Sequence, residues 1–248
     1  MTADKKPRSI AATWSRLLVA AAAGVAGLGL AGAFMGFLAP LVGFGLFALG
    51  LSLMPTIAVI LGVVGLFRTR GGVREGRREA LVGLLAGLVL LVVFLVLAAS
   101  SGGVPPIHDI TTSPQRPPLF EAALREPGNV GRDLSYPHGG TEVTALQLEA
   151  YPDLVPIQLP STPPESFTMA LAAASEMGLA MLAQDAGRLR FEATATTSIF
   201  RFVDDFVVEI EPSLPSGSVV HVRSVSRVGQ SDLGANAERI RRFAALLE

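Results

Sequence analysis

Two adjacent carboxylates, Asp204 and Asp205, are followed further along the chain by Arg223, Ser224, Ser226, Arg227, Ser231 and Asp232. Converging on a cleft, an aspartate there would serve as a general base and Arg227 as an electrostatic clamp on an anion. The same residues also suit an ion-pair network that locks strands to a following helix, because a buried carboxylate needs partners. The network is the preferred reading. Strict alternation from Phe200 puts Asp204 on the inward face with Phe202, Phe206 and Val208, and the arginines of the cluster are its expected partners. Ser231-Asp232 reads first as a helix cap, with an anion cradle over Val228–Leu233 as the competing reading. Arg239, Arg241 and Arg242 read as a solvated helix face.

Other chemistries find little support. His108, His138 and His221 lack metal-ligand spacing and there is no cysteine, so neither a metal site nor a disulfide is expected. No Gly-x-Ser-x-Gly elbow or phosphate-binding Gly-x-x-x-x-Gly-Lys loop occurs, and no cofactor is expected. Tyr136-Pro-His-Gly-Gly140 reads as a surface turn.

The elements that must position the cluster are legible downstream of Thr162. Thr162-Pro-Pro-Glu165 is a capping box; Phe167, Leu171, Ala174 and Met177 recur at helical spacing, and Gly178 offers a stop. Period-two runs follow: Leu189, Phe191, Ala193 and Ala195; then Phe206, Val208 and Ile210; then Val220 and Val222. Asp185-Ala-Gly187 and Pro215-Ser-Gly217 supply turns. Leu233, Ala237, Ile240, Ala244 and Leu247 form the stripe of a last helix, and a strand is expected near Thr141–Leu148. The pattern predicts an α+β domain over 119–248, an antiparallel sheet with two helices packed on one face.

A membrane anchor precedes it. No charged side chain occurs from Leu17 to Phe67, and a second apolar run fills Ala80 to Ala99. At about 1.5 Å per residue these runs provide three crossings, over 17–38, 41–67 and 80–98, hinged at Ala39-Pro40 and kinked at Pro55. Lys5, Lys6, Arg8 and Arg16 precede the first span, and Arg68, Arg70, Arg74, Arg77 and Arg78 lie between the second and third. Both segments are expected on the cytoplasmic side, with Trp14 as an interfacial anchor and the C-terminal domain outside. Gly32-Ala-Phe-Met-Gly36 and Gly83-Leu-Leu-Ala-Gly87 suit close helix packing, within the chain or in a homo-oligomer. Gly27-Leu-Gly29-Leu-Ala-Gly32 spells a dinucleotide fingerprint, but inside an apolar span it reads as packing too. Residues 101–118 are rich in proline and glycine and read as a linker, either an extended spacer or an ordered strap. Residues 1–100 carry 9 Lys+Arg against 3 Asp+Glu, and the remainder 11 against 18, an acidic balance that disfavours nucleic acid.

The stretch from His108 to Glu248 resembles the bacterial family of domain of unknown function 1499. The likeness is carried by His108-Asp-Ile-Thr-Thr-Ser-Pro, Pro117-Pro-Leu-Phe120, Tyr151-Pro-Asp-Leu-Val-Pro156, Glu192-Ala-Thr-Ala-Thr-Thr197 with Phe202-Val-Asp-Asp205, and above all Arg223 through Ile240. Gln230 stands where the family pattern has a basic residue. Several members are similarly preceded by membrane spans. The resemblance implies a Gram-negative source, and so an inner-membrane protein with a periplasmic domain. The expected function is a non-catalytic binding or interaction module of the envelope, with the bilayer and an envelope protein or small ligand as partners. The alternatives are an envelope enzyme using the Asp/Arg cluster and a structural oligomer.

Overall fold

The computed structural model describes residues 6–100, 104–137 and 141–248. Lys5, the start of the linker at 101–103 and residues 138–140 of the tyrosine-proline turn lie outside them. The chain divides into two compact units, Met1–Gly102 with Ser198–Arg201, and Gly103–Thr197 with Phe202–Glu248.

The first unit is helical: α1 (Ile10–Phe34), α2 (Pro40–Leu51), α3 (Leu53–Arg68) and α4 (Arg77–Ser100). Ile10–Phe34, Pro40–Arg68 and Arg77–Ala99 are each long and apolar enough to cross a membrane. α1 starts at Ile10 rather than Leu17, because Ser9 accepts the Ala12 amide at 3.4 Å and Arg16 stays exposed on the helix surface. Pro40 opens α2, where its missing amide costs nothing. The second span breaks at Ser52 (φ −112°, ψ −78°), just before Pro55. Proline cannot donate to the preceding turn, and around the break the hydroxyls of Ser52 and Thr56 donate to the Ala48 and Ser52 carbonyls at 2.7 and 2.8 Å, alongside the backbone amides. A Cβ on Gly29 would lie 2.5 Å from the Gly43 carbonyl oxygen, so α1 and α2 approach as only glycine allows. Gly27 of the same fingerprint has nothing within 4 Å.

The second unit is built on an antiparallel six-stranded sheet: β1 (Asp109–Thr111), β2 (Ile157–Leu159), β3 (Ala180–Asp185), β4 (Arg190–Thr196), β5 (Val203–Pro212) and β6 (Ser218–Ser226). The order is β1-β6-β5-β4-β3, and β2 also pairs with β6, lying end to end with β1 along its edge. α6 (Pro163–Glu176) and α7 (Ala235–Ala245) cover one face over Phe191, Phe206, Val208, Val220 and Val222. The capping box forms as expected, with the Glu165 carboxylate accepting from the Thr162 amide at 2.9 Å, and Gly178 closes the helix with φ +70°.

One feature departs from the sequence expectations, and one open alternative is decided. The segment expected as a strand near Thr141–Leu148 is helix α5 (Thr141–Ala150). Its run of Ala, Leu, Gln and Glu favours a helix, and burial of Gln147 settles the matter. That amide donates to the Thr111 carbonyl at 2.7 Å and accepts the Thr111 amide at 3.0 Å, completing β1 as a neighbouring strand would. The proline-rich segment supplies β1 and then runs on as an ordered strap, with the Pro118 carbonyl bonded to Arg223. As a result the second sheet face is covered by Phe120, Ala123 and Leu134 over Val207 and Val225. Glu192 on that face accepts the amides of Glu121, Ala122 and Ala123 at 2.8, 3.0 and 2.8 Å, fastening the strap to β4.

Candidate functional site

Alternation along β5 sends Asp204 and Asp205 to opposite sheet faces, so the polar cluster separates into three assemblies. On the helix face, Asp204 accepts Arg239 of α7 at 2.6 Å. Arg239 also donates to Ser224 Oγ at 3.1 Å, and Ser224 Oγ in turn donates to Asn236 Oδ1 at 2.6 Å. Asn236 Nδ2 reaches Ser226 Oγ and the His108 carbonyl, each at 3.0 Å. Asp204 thus has the inward position expected of it, but its partner is Arg239 rather than an arginine of β6. The solvated-face reading is also incomplete for Arg241, which pairs with Asp153 at 2.6 Å. The Asp204–Arg239 pair is largely buried and ties α7 to β5, whereas the Asp153–Arg241 pair is exposed.

On the strap face, fully buried Asp205 accepts Arg227 Nη2 at 2.7 Å, Arg227 Nε at 3.1 Å and Asn129 Nδ2 at 2.8 Å. Burial pulls the Arg227 pKa down, but its hydrogen bond and charge contact with Asp205 outweigh that and raise it overall. Arg132 donates to Asn129 Oδ1 at 2.6 Å and to the Ser226 carbonyl at 2.8 Å. Arg223 belongs to a third assembly. It is fully buried, binds Asp109 through two 2.8 Å bonds, and stacks on the Phe120 and Tyr136 rings.

Asp232 caps α7 by accepting the Gly234 and Asn236 amides, both at 2.8 Å, and Ser231 Oγ accepts Leu233 at 3.3 Å. Those amides are therefore occupied by the chain's own carboxylate. Burial raises the Asp232 pKa, with the two amides opposing the shift. Asp109, Asn129, Arg132 and Asn236 were not singled out by sequence reasoning. Only Asn236 and Arg239 carried a signal, their three-residue separation on one side of α7.

Residues 109–247 match the family described as Protein of unknown function (DUF1499). The chain belongs to that family. No curated protein matches it. Within the family domain, every side chain of the cluster except Ser231 joins two separate segments or caps a helix.

One of several open concavities lies away from the cluster, beside edge strand β3. It measures about 240 Å³, and Arg125, Arg188, Arg190, Glu121, Asp185 and Glu192 line it. Its carboxylates are committed: Glu192 to the strap amides, Asp185 to the Gly187 and Arg188 amides at 3.0 Å each, and Glu121 to Arg188 at 2.7 Å and Arg190 at 2.5 Å. The Arg188 hydrogen bond leads in lowering the Glu121 pKa. Arg125 is exposed and forms no ion pair among the described residues. Among those residues no three His, Asp or Glu side chains gather as metal ligands.

His221 gives the domain a pH dependence. Its Nδ1 meets Ser113 Oγ at 2.5 Å, and burial chiefly, then Arg116, depresses its pKa below 6.5. Glu211 lies 3.8 Å away, but Arg116 also pairs with that carboxylate. A histidine with a lowered folded pKa contributes stability above its ordinary range and loses it as the pH falls through the folded value. Thermal midpoints of the full chain are expected to drop as the pH falls below about 6.5, and His221→Gln to flatten that slope. An unchanged slope in the variant would assign the effect to other groups.

Proposed function

We propose that the protein is a membrane-anchored, non-catalytic binding module of the bacterial envelope. In this reading its spans lie in the inner membrane, its N-terminus is cytoplasmic, and the family domain stands in the periplasm. There it engages an acidic group of an envelope protein or small ligand. The concavity beside β3 carries the reading. Arg125 faces solvent there with no ion pair among the described residues, on a domain whose overall charge is negative, and exposed Arg188 beside it is bonded through two donors to Glu121, a carboxylate that an arriving anion would displace. The Arg125 guanidinium so presented suits planar, bidentate recognition of a carboxylate or phosphate. Orientation is supported by the lysines and arginines that crowd the N-terminus and the α3–α4 connection.

A photo-crosslinking amino acid placed at Arg125 in living cells tests this directly. A discrete adduct is expected there and not at exposed Glu176 on α6, and Arg188→Gln should weaken it. Turnover of envelope substrates by the purified chain, abolished by Asp205→Asn, would instead establish an enzyme. A C-terminal alkaline phosphatase fusion checks the topology, since activity requires the periplasm.

A further inference from the structure

The helical unit concentrates its charge at one end. There the segment before α1 pairs with the α3–α4 connection: the Ser9 amide donates to the Glu75 carbonyl at 2.9 Å, and the Glu75 amide to the Pro7 carbonyl at 3.2 Å. Thr13 Oγ1 donates to the Glu79 carboxylate at 3.0 Å, and Arg8 lies 3.9 Å from the same group. These contacts bring Lys6 and Arg8 beside the arginines of residues 68–78. Arg68, Arg70, Arg74, Arg77 and Arg78 are all exposed, and none makes an ion pair among the described residues. Between them opens a hollow of about 470 Å³ with Arg74, Arg77 and Arg78 on its wall. Glu79 on the same wall is already bonded to Thr13, and Glu75 makes no ion pair among the described residues.

We propose that this hollow binds the phosphate of an anionic phospholipid headgroup. Guanidinium groups grip phosphate oxygens in pairs, and cations beside an anionic leaflet attract it additively. A lipid rather than a soluble phosphate is indicated by the surroundings. Exposed Phe67 and Trp14 stand at the same end of the bundle, where acyl chains would run down from a held headgroup. Setting membrane orientation requires only positive charge. This site requires that one lipid class be enriched against the protein.

Trp14, the chain's single tryptophan, lies next to Thr13 and reports on the neighbouring lipid. The full chain is reconstituted into phosphatidylcholine bilayers containing a minor share of brominated phosphatidylglycerol, or of brominated phosphatidylcholine at the same share. Phosphatidylglycerol is expected to quench Trp14 more strongly. Arg74→Gln/Arg77→Gln/Arg78→Gln should abolish that excess, at about fivefold in relative affinity for each arginine removed. Lys6, Arg8, Arg68 and Arg70 remain in that variant to hold the topology. Equal quenching by the two lipids overturns the proposal, as does an excess that survives the triple substitution. Stronger quenching by brominated phosphatidylethanolamine also overturns it, assigning the hollow to a zwitterionic headgroup read by Glu75. Loss of the excess on adding inorganic phosphate at constant ionic strength would make it a soluble-phosphate site. Should the variant fail to reconstitute, salt decides on the wild type: the excess must fall as ionic strength rises, and an excess indifferent to salt refutes the site.

Discussion

Asp109→Ala is expected to destabilise the family domain by about 3–5 kcal/mol, the penalty for leaving a buried charge without its partner. Arg223 lies fully inside the domain and has no route to water. Its two bonds to Asp109 supply its only countercharge among the described residues, while the Pro118 and Leu134 carbonyls accept its other donors at 3.2 and 2.9 Å. Those carbonyls belong to the strap, and Phe120 and Tyr136 close over the guanidinium. Loss of the carboxylate therefore loosens β1 and the strap together. For a domain of this size the thermal midpoint should fall by roughly 10 °C, measured by circular dichroism on the full chain in detergent. Replacing both partners, Asp109→Leu with Arg223→Met, should recover most of the loss, since apolar side chains of similar volume need no countercharge. A midpoint unmoved by Asp109→Ala would mean that the strap carbonyls alone sustain Arg223.

Gly83→Leu is the corresponding expectation for the helical unit. A Cβ at Gly83 of α4 would overlap Ser15 Oγ and lie 2.7 Å from the Ser15 carbonyl carbon of α1. Ser15 Oγ also donates to the Ala58 carbonyl of α3 at 2.7 Å, so three helices meet at this point. A leucine there must push α1 from α4 and pull that hydrogen bond apart, costing about 3 kcal/mol or more. Thermal aggregation of the detergent-solubilised chain, followed by size exclusion, should begin well below the wild-type temperature. Gly27→Leu is the control, because open space surrounds Gly27. If Gly83→Leu changed the assembly size and left stability untouched, the glycine would be packing against a second copy instead.

Of the candidate cluster, the residue types were legible and their partners were not. Asp204 was placed on the inward face by alternation alone, since successive strand residues must point to opposite sides of a sheet. Its pairing with Arg239 depends on where α7 crosses the sheet, which no local pattern records. Arg223 and Asp109 are 114 residues apart and meet only because β1 docks antiparallel on β6 in one register. β1 itself was hidden in a proline-rich segment whose composition suits a spacer and a strap equally. α5 was misread because its short alternation mimics a strand, and its helical state depends on Gln147 reaching the open edge of β1. β3 carried no strong pattern, since it is an exposed edge with few buried side chains.

The sequence by itself determined what local physics controls. Uninterrupted apolar runs demanded helices that could span a bilayer, Pro40 divided the first run, the capping box and Gly178 bounded α6, and period-two runs made β4, β5 and β6. Each of these follows from hydrophobic periodicity or from a backbone restriction acting over a few residues. Only the tertiary structure decided the electrostatics: which carboxylate meets which arginine, that both sheet faces are covered, and that exposed Arg125 lies beside β3 instead of at the acidic pair. Charge pairing depends on distances between segments remote in sequence, and a low-dielectric interior makes the outcome turn on register and helix placement.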